Sequence, residues 1–133
     1  MTALVNKNAF LRWVQAWNDG DLEAIDELVA ADFQTYYQGN TQPVDSSRQA
    51  HKERVQHAFD IYPDHVTTMQ EVVADGDVVM GLGTFTGTHV GKSPGGAEPD
   101  NRKWQVQFAL ITRWSAGKLV EERRFWGNWS HVH

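Results

Sequence analysis

The sequence contains no cysteine. That single absence excludes disulfide bonds, thiolate nucleophiles and every thiolate-ligated metal centre. No uninterrupted apolar run approaches the roughly 20 residues that a membrane-crossing helix needs. The N-terminus lacks the basic segment, apolar stretch and small-residue cleavage site of a secretory leader. A basic stripe for neutralising successive phosphates is also missing: 12 Lys and Arg stand against 17 Asp and Glu, for a formal charge of -5. Acidic residues dominate as far as residue 93, and basic residues exceed them only slightly beyond it. These absences argue against nucleic acid and membrane as partners and point to a cytoplasmic protein. The length, 133 residues, predicts one domain spanning 1–133, because two independent cores need a longer chain.

What the chain has in quantity is aromatic surface: 6 Trp, 6 Phe and 3 Tyr. Tryptophans at 13, 17, 104, 114, 126 and 129 are more than packing alone requires in a core of this size. Such rings line a pocket for a planar or apolar ligand, and they equally serve a large-residue core or a dimer surface.

Phe10, Trp13, Val14 and Trp17 recur on one helical face, predicting an amphipathic helix over 4–18. Asp21 caps a second helix with Leu22, Ile25, Leu28 and Val29 on its apolar face, and a short strand follows from Phe33 to Tyr37. Ser46-Ser47-Arg48-Gln49 offers a capping box for a third helix, with His51, Val55, Ala58 and Tyr62 on one face and Pro63 ending it. The period then changes to two. Strands are predicted over 66–74 and 78–88, joined at Asp75-Gly76-Asp77, then over 102–114 and 119–129, with a glycine-rich loop between Val90 and Asn101 and a frayed tail from Ser130 to His133. Three helices followed by a long antiparallel sheet predict an α+β domain whose helices cover one face of a curved sheet.

Five stretches in this order carry a resemblance to a known family: Trp17-Asn18-Asp19-Gly20-Asp21-Leu22-Glu23-Ala24-Ile25, Tyr62-Pro63-Asp64, Glu71-Val72-Val73-Ala74-Asp75-Gly76-Asp77, Thr86-Gly87-Thr88-His89 and Gly117-Lys118-Leu119-Val120-Glu121. Together they resemble the SnoaL-like polyketide cyclases of the nuclear-transport-factor-2-like (NTF2-like) superfamily. The resemblance implies a cone in which the sheet wraps around the N-terminal helix and encloses an apolar pocket, in a homodimer formed through the sheets. It implies cyclase, isomerase, hydratase, hydroxylase or hydrolase chemistry on hydrophobic carbonyl compounds. It also implies an acid/base aspartate in the last strand, where this chain places Arg124 or Gly127.

The candidate proton carriers are His89, which matches the histidine of the family's Gly-Thr-His pattern, His51 on the third helix, and Glu122 if its face of the last strand turns inward. Each also fits a structural role: His89 as a hydrogen bond holding the following loop, His51 as a buried histidine bonded to backbone. Trp13 and Trp17 are candidate pocket walls. Gln105 and Gln107 bind substrate carbonyls if they face the cavity and carry no role if they face solvent. Arg124 and Trp126 share one face of the last strand with Glu122, against Glu121, Arg123 and Phe125 on the other. An arginine inside the cavity needs a carboxylate or an anionic ligand beside it. Either of Tyr36 and Tyr37 can orient an oxyanion or simply pack. His131 and His133 make no metal pair in a frayed tail, and no metal site is expected. The combined expectation is a dimeric, cofactor-independent acid/base enzyme for a hydrophobic cyclic or polyketide-like ketone. Its rival is a binding or assembly module of the same shape without catalysis.

Overall fold

The computed structural model describes residues 2–93 and 95–133. Helix α1 spans Thr2–Asp19, α2 Leu22–Leu28 and α3 Arg48–Ile61; strands follow as β1 Val29–Tyr37, β2 Val66–Asp75, β3 Val78–Thr88, β4 Lys103–Ser115, β5 Lys118–Trp126 and β6 Ser130–His131. No described helix is long and apolar enough to cross a membrane.

Local chemistry sets the helix ends. The Asp21 carboxylate accepts the Ala24 N–H and starts α2, just after Gly20 has turned the chain at φ +66°. Ser47 caps α3 by accepting the Ala50 N–H. The expected capping box does not form: the cap is Ser47, the residue three further on is Ala50, and the Gln49 amide donates to Glu53 instead. Val29, expected in α2, opens β1 instead, because α2 stops at Leu28 and extended backbone begins at once.

The sheet order is β1-β5-β4-β3-β2, with β6 added beside β4. The β2–β3, β3–β4 and β4–β5 pairs are antiparallel, as expected for hairpins, but β1 runs parallel to β5. The sheet is thus mixed rather than wholly antiparallel: β1 enters from α2 at the far edge, so its direction is free of any hairpin constraint. The tail is not frayed. Ser130 and His131 pair with Gln105 and Trp104, because β4 outruns β5 and leaves a free edge there.

The α1 face carrying Ala9, Phe10, Trp13 and Ala16 is buried against the inner side of the sheet. Asn18 extends the sheet's hydrogen bonding at its open edge: its side-chain amide donates to Thr67 O (2.9 Å) and accepts from Thr67 N (2.8 Å), as a neighbouring strand would. Glycines let the sheet pack closely. A Cβ at Gly83 would stand 2.8 Å from Phe108 Cζ, 2.8 Å from Met69 Sδ and 3.1 Å from Thr68 O. Gly83→Val is expected to lower the free energy of urea unfolding by about 1–3 kcal/mol, the usual cost of overpacking.

Candidate functional site

Between α1, α3 and the inner face of the sheet lies a cavity of about 280 Å³. That is the lower edge of the range of small-molecule sites, roughly 300–1,000 Å³, so a compact ligand is favoured. Its walls are mainly aromatic. Trp13 and Trp17 come from α1, Phe85 from β3, Phe108 from β4, Trp126 from β5 and Trp129 from the segment after it. Helix α3 contributes Arg54, His57, Ala58 and Ile61, a face one helical repeat long. Trp126 is edge-on to Phe108 at 5.5 Å and stacks on Trp129 at 5.7 Å, so the rings support one another around the opening. No carboxylate is found among the described residues that line it.

At the deep end two arginines are built into a polar network. The Arg124 guanidinium lies over the Phe108 and Trp126 rings (4.8 and 5.0 Å) and binds Glu122 Oε2 through Nε (2.8 Å) and Nη2 (2.6 Å). Glu122 is completely buried, and its other oxygen accepts the Thr35 hydroxyl at 3.2 Å. Burial pushes the Glu122 carboxyl upward, but Arg124 and Arg54 outweigh it and hold it below the usual carboxylate range. Arg54 binds Asp45 at 2.6 Å and donates to the Tyr37 hydroxyl. Burial opposes its charge, yet Tyr37, Glu122 and Asp45 together raise its pKa further. Two cations are thus matched by two carboxylates. Arg124 lines the cavity, and its Nη1 makes no hydrogen bond to any described residue.

His51 sits behind the aromatic wall, fully buried. Its Nε2 accepts the indole N–H of both Trp13 and Trp17, each at 3.1 Å. Burial pushes its pKa down to about 3, with Arg54 and Arg124 adding to the effect and Glu122 opposing it.

The residues expected from the sequence are divided by this geometry. Trp13, Trp17, Arg124 and Trp126 line the cavity. Glu122 faces inward with them but spends its oxygens on Arg124 and Thr35. Tyr37 stands one layer back, against Arg54 and edge-on to Trp126, and burial raises its pKa. Gln105 and Gln107 are exposed on the opposite face of β4, because the core takes Val106 and Phe108. Tyr36 likewise turns outward: its hydroxyl donates to Gln34, and Arg123 covers its ring. His89 clasps the loop start through backbone bonds with Arg102 and Asn101, with its Nδ1 3.9 Å from Asp100. None of His51, His89 and Glu122 is among the lining residues. Arg54 and His57 are, and the sequence reading had singled out neither for the pocket. Their spacing with Ala58 and Ile61 was the available signal, hidden because it requires knowing that this side of α3 borders the cavity, where His57 stands exposed.

The profile of the SnoaL-like polyketide cyclase family matches residues 7–130. The chain belongs to that family. Its fold is NTF2-like, and the family is one of enzymes acting on hydrophobic substrates. The structure resembles that of a protein from Jannaschia sp. CCS1 assigned as a SnoaL-like polyketide cyclase, with a TM-score of 0.83 and 20% identity over 94% of this chain and 87% of that one. IdmH from Streptomyces antibioticus, assigned as a polyketide cyclase, gives 0.79 at 25% identity over 92% of each chain. AclR from Streptomyces galilaeus, assigned as a hydroxylase, gives 0.77 at 25% identity over 92% of this chain and 78% of its own. No curated protein sequence matches the chain. In this SnoaL-like chain the last strand carries an arginine–glutamate pair where the resemblance implies an aspartate. A Cβ at Gly127 would stand 2.8 Å from Gln107 O, so that position has no room for a carboxylate side chain without backbone movement.

Proposed function

We propose that this protein binds a compact, flat, hydrophobic ketone and exchanges a proton beside its carbonyl, the step shared by cyclisation, isomerisation and hydration of such compounds. The observation that carries the reading is the aromatic cavity lined by Arg124, whose Nη1 has no hydrogen-bond partner among the described residues. In the bound state the rings pack on the substrate's faces and exclude water, while Arg124 donates to the carbonyl oxygen. As the neighbouring carbon loses its proton, charge collects on that oxygen, and a preorganised donor stabilises it more than it does the neutral ketone. Glu122, itself anchored by the Thr35 hydroxyl, holds the guanidinium in place, so little reorganisation accompanies the step. His57, the imidazole among the lining residues, is the proton carrier in this reading. His51 has its basic nitrogen occupied by two indoles, and His89 stands outside the cavity; both are assigned to structure. No cofactor is required. A homodimer through the outer sheet face, where Val73, Met80 and Phe125 are exposed, completes the reading.

The test uses α-tetralone, a bicyclic aromatic ketone, in heavy water. The protein is expected to accelerate deuterium incorporation next to the carbonyl. Arg124→Lys, which keeps a charge beside Glu122 but loses the planar fork, is expected to lower the rate at saturation by about tenfold, with a smaller change in KM. His57→Gln is expected to abolish most of the remaining exchange. The absence of any carboxylate from the lining favours a second reading, a binding module without catalysis. Saturable tetralone binding with no exchange above the buffer rate selects that second reading.

A further inference from the structure

The arrangement around His51 has a consequence for what the cavity accepts, given the reading above that the cavity holds a ligand. The only polar atom of an indole is its N–H. Those of Trp13 and Trp17 both end on the same histidine nitrogen, at 3.1 Å. A nitrogen that receives two donors carries no hydrogen, so the His51 proton resides on Nδ1, which has no hydrogen-bond acceptor among the described residues. The imidazole is locked on several sides: near-coplanar with Trp13 at 21° through the N–H···N bond, edge-on to Trp17, and edge-on to Phe33 with centroids 4.7 Å apart. Trp13 and Trp17 line the cavity whereas His51 does not. Each indole is therefore held with its donor bound to the layer behind the wall and only carbon left for the cavity.

We propose that His51 is a positioning residue that sets ligand specificity, by drawing both indole donors out of the cavity so that this wall accepts a hydrocarbon ring and rejects hydroxyl groups. A hydroxyl placed against the wall loses its water and gains no partner, which is the expensive way to bury a polar group. The polar end of the ligand is left to the polar side chains elsewhere in the lining, Arg124 foremost in the reading above. The same wall with its indoles released would present two donors and read a different class of compound.

Heteronuclear NMR of wild-type protein labelled with heavy nitrogen in tryptophan and histidine tests the clamp without any ligand. His51 is expected in the Nδ1–H tautomer, and the indole protons of Trp13 and Trp17 are expected to exchange with water far more slowly than that of exposed Trp129. Observation of the Nε2–H tautomer, or exchange as fast as that of Trp129, overturns the proposal. Specificity is read by fluorescence titration with α-tetralone and with a tetralone bearing a phenolic hydroxyl on the far ring. In His51→Leu the preference for the unsubstituted ketone is expected to narrow about tenfold. His51→Gln, whose amide oxygen can again accept an indole, is expected to restore part of it. Unchanged discrimination in both variants overturns the proposal. Failure of the wild type to bind α-tetralone while the NMR signature is present overturns the ligand reading instead, and the two failures are distinguishable because the clamp is measured on the free protein.

Discussion

Glu122→Ala is expected to cost about 3–5 kcal/mol of folding stability, the usual consequence of removing one partner from a buried ion pair. The carboxylate has no exposed surface, and Arg124 is only 8% exposed. Once Glu122 is gone, the guanidinium keeps its place over Phe108 and Trp126 without a matching charge. Thr35 loses its acceptor at the same time. Most of the cost is the stranded charge rather than the intrinsic worth of the pair, and the double variant separates the two. Glu122→Met combined with Arg124→Met is expected to recover most of the loss, because an apolar pair of similar volume avoids desolvating either ion. Urea unfolding of wild type, Glu122→Ala and the double variant gives the result. A single Glu122→Ala cost below about 1 kcal/mol, within the range of a surface pair, would contradict the buried ion pair.

Acidification is expected to weaken the fold before most carboxylates titrate, and His51 is the principal reason. An unfolded histidine titrates near 6.5, whereas burial among three aromatic rings pushes His51 down to about 3. Between those values the unfolded chain binds the proton and the folded chain does not, so stability falls as pH falls. One pH unit corresponds to about 1.4 kcal/mol per proton, giving a loss of about 2 kcal/mol between about pH 6.5 and pH 5. The charged groups facing His51 are Glu122, which favours the proton, and Arg54 and Arg124, which oppose it. His65, also lowered by burial and opposed only by Asp64, acts in the same direction. Urea midpoints for wild type and His51→Gln at both pH values check the assignment. The variant is expected to start less stable and to show a shallower decline; an equal decline would mean that His51 is not held neutral.

Both predictions rest on residues whose identity was visible in the sequence but whose surroundings were not. The helix around Phe10 and Trp13, the Asp21 cap and the hairpin at Asp75-Gly76-Asp77 were legible because each depends on neighbours within a few positions. The direction of β1 was not, since it pairs in parallel with β5, a strand about ninety residues further along the chain. The tail at Ser130 and His131 looked frayed for a similar reason: its partner is the free end of a distant strand.

The last strand shows the limit most sharply. Glu122, Arg124 and Trp126 alternate with Glu121, Arg123 and Phe125, so each face offers one acid, one arginine and one aromatic ring. Period two separates the faces without saying which is inside. Only the assembled structure decides: Thr35 and the Phe108 ring meet the first set, while Arg113 and the Tyr36 ring meet the second. The convergence of two indoles on His51 is equally invisible along the chain, because it joins residues 34 and 38 positions apart. What the amino-acid sequence determined by itself was an α+β architecture rich in aromatic residues, since helix and strand periods and turn chemistry are local; its likeness to the NTF2-like fold rested on the five stretches that resemble the family. What only the tertiary structure decided was which of those rings and charges share a cavity, since burial and ion pairing are set by elements that meet across the whole fold.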